Sequence, residues 1–101
     1  MLNVETIYKG RDNNIDIELR ENGKNIADYS PITRVLVSLE SNLIDSDVNP
    51  EWLDWSGNSL VIKVGLSGIV AGKYTTRVET WDATNINGIV WTESLKVIIR
   101  N

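Results

Sequence analysis

Asp45 and Asp47, two carboxylates one residue apart, are the first residues whose types could do chemistry, with Asp54, Asp82 and Glu93 as further candidates. A glycosidase holds two such groups about 5 to 10 Å apart across a sugar-sized cleft. Nothing in this spacing outlines a cleft, so the expected role is that of solvated loop carboxylates and no catalytic residue is assigned. Ser and Thr are numerous, but the chain has no His and no Ser-x-x-Lys spacing to supply an activating base. Asp12-Asn13-Asn14 and Asp45-Ser46-Asp47 offer hard oxygen ligands of the kind calcium takes. They lack the central Gly and closing Glu of the twelve-residue calcium loop. Asx residues in turns hydrogen-bond their own backbone, which is the simpler role. No metal or cofactor is therefore expected, and the chain is read as a non-enzyme. Gly65-Leu66-Ser67-Gly68 and Gly72 do not match a phosphate-binding loop, and no helix follows them. They are expected to shape a crossing between strands.

The four Trp are the other chemically useful feature. Trp52 and Trp55 lie close together, and Trp81 and Trp91 flank the last loop. Alternation puts Trp55 in the core. Trp81 shares a face with Arg77 and Glu79, which predicts partial exposure. Trp52, opposite Lys63, is expected at the surface, within reach of a cation–π contact. Trp is enriched at protein interfaces. After ordinary packing, a protein partner is the first role for Trp52, Trp81 and Trp91, and stacking on sugar rings is the alternative.

The elements that must position these residues are strands. Ile15, Ile17 and Leu19 alternate with Asp16, Glu18 and Arg20, the mark of a strand with one wet face. Val35, Val37 and Leu39 repeat the pattern, as do Leu60, Ile62 and Val64, and then Leu95, Val97 and Ile99. Leu2, Val4 and Tyr8 suggest a first strand. Tyr74, Thr76, Val78 and Thr80 suggest a late one, rich in β-branched residues. No helical periodicity runs for ten residues. Asn22-Gly23, Gly57-Asn58 and Asn87-Gly88 punctuate the runs, and Asn-Gly favours tight hairpin turns. Residues 41–50 are the least patterned and read as a loop or irregular edge.

Two registers follow. A two-residue loop at Gly57-Asn58 sets Ser56 against Ser59, Trp55 against Leu60 and Leu53 against Ile62, with the apolar residues on one face. A single helical turn starting at Pro50, capped by Asn49, is the rival reading of the segment before it. A two-residue loop at Asn87-Gly88 would set Thr80 against Leu95, Val78 against Val97 and Thr76 against Ile99. It would also oppose Asp82 to Glu93, two like charges. A bulge, or a wider loop from about Ala83 to Gly88, is expected there instead.

Composition bounds the rest. With 101 residues, one domain is expected over 1–101. The absence of Cys and His removes disulfides, zinc sites and iron–sulfur clusters. Ten basic against fourteen acidic residues give a net charge of −4, which disfavours nucleic acid. Apolar runs are too short to span a bilayer. Met1-Leu2-Asn3-Val4-Glu5 does not open like a secretory leader, and zero Cys fits a reducing cytoplasm. Short strands with regular turns predict an all-β sandwich or barrel.

Two resemblances narrow this. Leu66 followed by Ala71-Gly72-Lys73-Tyr74 at a strand start resembles the corner before a late strand in immunoglobulin-like domains, where a Tyr hydroxyl hooks back to the preceding turn. Thr76 stands where such domains carry a Cys, so an antibody-type disulfide is excluded. Tyr8 to Ile17, then Asn22-Gly23-Lys24-Asn25-Ile26-Ala27-Asp28-Tyr29, then Ile32–Leu39 and Ala71 to Asp82, are similar in order and spacing to the N-terminal immunoglobulin-like module of tailed-phage baseplate upper proteins and to related small virion proteins. That resemblance implies an immunoglobulin-like antiparallel sandwich of about seven strands. It also implies a structural module of the virion, made in the host cytoplasm and docked on a capsid, tail or baseplate surface. The implied partners are other virion proteins, with a homo-oligomer in a symmetric assembly among them. The sandwich is expected to end at Ile99, without the long continuation of the baseplate proteins, which favours a stand-alone accessory role. A carbohydrate-binding sandwich using Trp52, Trp81 or Trp91 is the alternative.

Overall fold

The computed structural model describes residues 3–21, 23–29, 31–56, 59–66 and 68–101, with backbone alone for 3, 21, 66 and 92–95. The strands are β1 (Asn3–Tyr8), β2 (Ile15–Glu18), β3 (Arg20–Glu21), β4 (Lys24–Asn25), β5 (Ile32–Leu39), β6 (Asn42–Asp45), β7 (Leu53–Ser56), β8 (Ser59–Ile62), β9 (Gly72–Asp82) and β10 (Ile89–Arg100). Three short 3-10 turns, Ile26–Tyr29, Pro50–Trp52 and Val64–Leu66, connect them. No helix among the described residues is long and apolar enough to cross a membrane.

The fold is all-β. One sheet has the order β1-β10-β9-β5-β6 and a second the order β2-β8-β7, with β3 and β4 forming a small pair. The alternation explains how the two sheets meet. Val35, Val37 and Leu39 of β5, Val78 of β9, and Val97 and Ile99 of β10 turn inward from the larger sheet. Ile15, Leu60, Ile62 and Leu53 turn inward from the smaller one and join the same core. Burial of these faces is the main stabilising term, at about 25 cal/mol per Å² of apolar surface, and a chain without Cys has no cross-link to add to it.

The β7–β8 register matches the sequence arithmetic: Leu53 pairs with Ile62, Trp55 with Leu60 and Ser56 with Ser59. The turn residues Gly57 and Asn58 lie outside the described residues, as does Asn22 of the β3–β4 turn. The rival reading of the preceding segment also holds locally, since Pro50–Trp52 is a 3-10 turn. Its Asn49 makes no side-chain cap, and the Lys63 N–H donates to the Trp52 carbonyl at 2.9 Å, continuing the hairpin. Residues 41–50 hold a short edge strand, β6, followed by a turn.

Two elements show what strand pairing adds to the alternation. In β1 it is Ile7 that turns inward, while Val4 and Tyr8 face solvent. The reason is the partner: β1 runs parallel to β10, with Ile7 beside Ile99 and Tyr8 beside Arg100. In the last hairpin the two-residue register does not form. Thr80 pairs with Ile89, Val78 with Trp91 and Thr76 with Leu95, and the register shifts between Trp91 and Leu95. The wider loop and the bulge expected from the Asp82–Glu93 clash both occur. The cause is Asp82, whose carboxylate accepts the backbone N–H groups of Thr84 and Asn85, each at 2.9 Å, and turns the chain early.

That register carries Trp91 into the core, where it is 2% exposed. Its indole Nε1 donates to Thr80 Oγ1 at 2.9 Å, because a buried N–H without an acceptor is costly. At the other end of β9, the Tyr74 hydroxyl donates to the Val70 carbonyl at 2.6 Å, the hook-back that Ala71-Gly72-Lys73-Tyr74 suggested. Gly65 lies where the chain crosses from β8 towards β9, and a Cβ there would collide with the Arg11 carbonyl oxygen.

Thr80→Val keeps the shape of the site but strands the Trp91 N–H, and is expected to lower unfolding free energy by about 1–3 kcal/mol. Thr80→Ser keeps the acceptor and should lose less; urea unfolding monitored by Trp fluorescence measures both. Gly65→Ala forces backbone apart and is expected to cost about 2–3 kcal/mol, whereas Lys24→Ala, on an exposed side chain, should leave the melting temperature near its starting value.

Candidate functional site

The hairpin turn after β9 and the connection into β5 lie beside one another at one end of the sandwich. Between them is an open cleft of about 380 Å³. Asp28, Tyr29 and Pro31 form one wall; Asp82, Thr84 and Asn85 form the other. Both walls are held by short-range hydrogen bonds that the local sequence supplies. On the first, Asp28 Oδ2 accepts from Asn25 N at 2.8 Å, and Asn25 Oδ1 accepts from Ala27 N at 2.9 Å. On the second, Asp82 also accepts from the Asn85 side-chain amide at 3.0 Å, and Asn85 O accepts from Gly88 N at 3.1 Å. Such Asx turns fix loops without any ligand. Tyr29 stands edge-on to the buried Trp91, with ring centroids 6.0 Å apart at 72°, so the core indole supports the cleft wall. Ile86, at the tip of the loop, is 75% exposed.

The outer side of the same end carries a second organised group. The Arg34 guanidinium of β5 stacks over the Trp81 ring of β9, 4.6 Å from its centroid. It also donates from Nε to Asp45 Oδ1 at 3.0 Å and from its terminal nitrogen to Asp45 Oδ2, the bidentate geometry that Arg favours. Asp47 lies 3.4 Å from the same guanidinium. Gly88 closes the edge of Trp81. A Cβ at Gly88 would sit 2.7 Å from the indole nitrogen, and its φ of +87° suits glycine.

The three Trp singled out from the sequence therefore separate. Trp91 is not a surface residue: the β9–β10 register turns it inward, and it has no face to offer a ligand. Trp81 is half-buried, with Arg34 over one ring face and Gly88 at its edge. Trp52 is half-buried and packs against the core. Of the three, Trp91 is closed off in the core, and Trp81 has one ring face covered by Arg34. Trp55 is also half-buried against the core rather than fully inside it.

The carboxylates separate as well. Asp45, offered as an acid–base or calcium group, is engaged by Arg34 and by the Asp47 N–H at 3.0 Å. The Arg34 hydrogen bond holds its carboxyl below the usual range. Asp82 is held low chiefly by the Asn85 backbone N–H, with the Asn85 side chain and the Thr84 N–H adding to it. Asp54 is exposed on β7, and the Glu93 side chain lies outside the described residues. Among the described residues no group of three or more Asp or Glu is placed to hold a metal ion. Low carboxyl pKa values suit structural acceptors, since a general acid must keep its proton near neutral pH.

Sequence reasoning did not single out Arg34, Tyr29 or Asn85 as site residues. Asn85 had a local signal, because Asp82-Ala83-Thr84-Asn85 is turn-forming in composition. Arg34 and Tyr29 had none, since their partners are distant in sequence. Comparison of the sequence with protein-family models and with curated proteins finds no match in either.

A carboxylate with a depressed folded pKa stabilises the fold above its ordinary value near 4, and that contribution disappears as pH falls through the folded value. Stability is therefore expected to be level through neutral pH and to fall below about pH 4 as Asp45 and Asp82 take up protons. Thermal melts from pH 6 downward should show this, and Asp82→Asn should lower the neutral plateau while flattening part of the acid limb.

Proposed function

We propose that this chain is a non-enzymatic, immunoglobulin-like binding module of a tailed-phage virion, docking on a protein surface of the capsid, tail or baseplate. The observation that carries the docking reading is the loop end: two hydrogen-bonded loops frame a cleft, and Ile86 projects from one of them. Rigid loops lose little entropy on binding, and an exposed apolar tip beside a polar cleft suits a protein partner better than a small polar substrate. The low-lying carboxyls serve the backbone, which accords with a binding role.

Support for the immunoglobulin-like assignment comes from the strand order, with β1-β10-β9-β5-β6 opposed to β2-β8-β7, and from the Tyr74 hook-back. Support for the virion context is the resemblance to baseplate modules in the order and spacing of the segments from Tyr8 through Asp82. The half-buried or buried state of Trp52, Trp81 and Trp91 favours protein docking over the sugar platform.

The test is co-sedimentation of the purified protein with capsids and with tails of the phage that encodes it, prepared without the protein. Saturable binding to one of them is expected, weakened at least about tenfold by Ile86→Asp, with an unchanged melt. No binding to either assembly rejects the virion reading; binding indifferent to Ile86→Asp rejects the loop end as its surface.

A further inference from the structure

β6 is an edge strand of the larger sheet and β7 an edge strand of the smaller one. Residues 46–52 carry the chain from one to the other. At this crossing a pocket of about 210 Å³ opens to solvent. Its apolar lining is Leu53 and Trp55 of β7, with Pro50 of the turn before them. Leu53 and Trp55 alternate on the same face of β7, across from the buried Ile62 and Leu60. Leu53 is sealed into the core, but Trp55 is only half-buried, because β7 is the last strand of its sheet. The alternation that placed Trp55 in the core thus leaves part of its ring to this pocket. Its indole N–H has no acceptor among the described residues, yet it is not a buried orphan, so it lies where a solvent or ligand oxygen can reach it.

The rest of the lining is polar and held in place. The Ser46 hydroxyl oxygen accepts the Val35 N–H at 2.9 Å, which leaves its own hydrogen to donate. Thr33 Oγ1 donates to the Trp81 carbonyl at 3.1 Å, which leaves its lone pairs to accept. Asp47 is anchored by its N–H to Asp45 Oδ1 at 3.0 Å and by Arg34, 3.4 Å from one carboxylate oxygen. Its other oxygen has no partner among the described residues. Asp54 is exposed, and no hydrogen bond or ion pair among the described residues engages its side chain. One pocket therefore combines a partly open indole with two hydroxyls and two carboxylates, all with bonding capacity unspent.

We propose that this pocket binds one neutral pyranose ring, a single sugar unit. Such a ring is apolar on the C–H side that packs on an indole and polar around its rim. Its hydroxyls donate to Asp47 and Asp54 and exchange hydrogen bonds with Ser46 and Thr33, while Trp55 and Pro50 take the C–H groups. The pocket is smaller than the roughly 300–1,000 Å³ of sites for drug-sized ligands, which suits one ring. A purely apolar side chain fits less well, because it would cut the two carboxylates off from water without replacing the lost hydrogen bonds. A bare metal ion fits less well too, since among the described residues no group of three or more Asp or Glu is placed to hold one. The two carboxylates repel an acidic sugar, so the pocket selects a neutral one. The inference rests neither on the virion reading nor on docking through the loop end.

Titration of the ¹⁵N-labelled full chain with glucose, galactose and N-acetylglucosamine tests it, followed through the four Trp indole N–H resonances, with Trp55→Phe assigning that of Trp55. At least one sugar is expected to move the Trp55 resonance saturably in the millimolar range, while the buried Trp91 resonance stays in place. Asp54→Ala removes an exposed side chain that the fold does not use. It should leave the melting temperature unchanged and weaken binding at least about tenfold, the loss expected for a hydrogen bond to a charged group. Glucuronic acid should bind more weakly than glucose, and Ile86→Asp should leave sugar binding as it was. A Trp55 resonance that no sugar moves saturably by about 50 mM overturns the proposal. So does binding indifferent to Asp54→Ala, a response that glycerol reproduces, or glucuronic acid binding as tightly as glucose.

Discussion

The position at which the chain turns after β9 governs most of this structure. Asp82 fixes it by accepting the N–H groups of Thr84 and Asn85. β9 is the central strand of the larger sheet and pairs with both β5 and β10. Once the turn is set, Trp91 falls opposite Val78 and enters the core, where Thr80 receives its N–H. A shift of one residue would send the Trp91 ring to solvent, because side chains alternate between the faces of a strand. The same setting leaves Trp81 on the outer face, where Arg34 covers it. The place of Trp91 in the core and one wall of the cleft thus follow from the turn that Asp82 holds.

The polar groups follow a consistent division of labour. Arg34 ties β5, β6 and β9 together by touching Asp45 and Trp81 at once. Its exposure is partial, and exposed ion pairs contribute little by themselves. Its value lies in geometry: it holds the β6 edge and the turn that follows, where Ser46 and Val35 also exchange hydrogen bonds. The carboxylates that first suggested catalysis are used as acceptors for backbone and guanidinium groups. The proposed docking role rests on a different feature, the loop end with Ile86.

The sequence by itself determined the class of object. Strict alternation in residues 15–20, 35–39, 60–64 and 74–80 requires strands with one buried face, and the Leu53–Ile62 hairpin could be registered because its turn is short and its apolar residues agree. The absence of His and Cys removed zinc, iron–sulfur and disulfide chemistry before any coordinates. Even the failure of the last hairpin was legible, since Asp82 facing Glu93 would have been repulsive. Tertiary structure decided the remainder. The parallel pairing of β1 with β10 brings residues 3–8 beside 95–100, and no local pattern encodes a contact of that separation; it turns Ile7 inward and leaves Val4 and Tyr8 exposed. The length of the wider loop fixed the fate of Trp91, and alternation cannot count residues through a loop. The cleft and the Arg34–Trp81 group arise from side chains brought together by strand order, which depends on burial summed over both sheets rather than on any single segment.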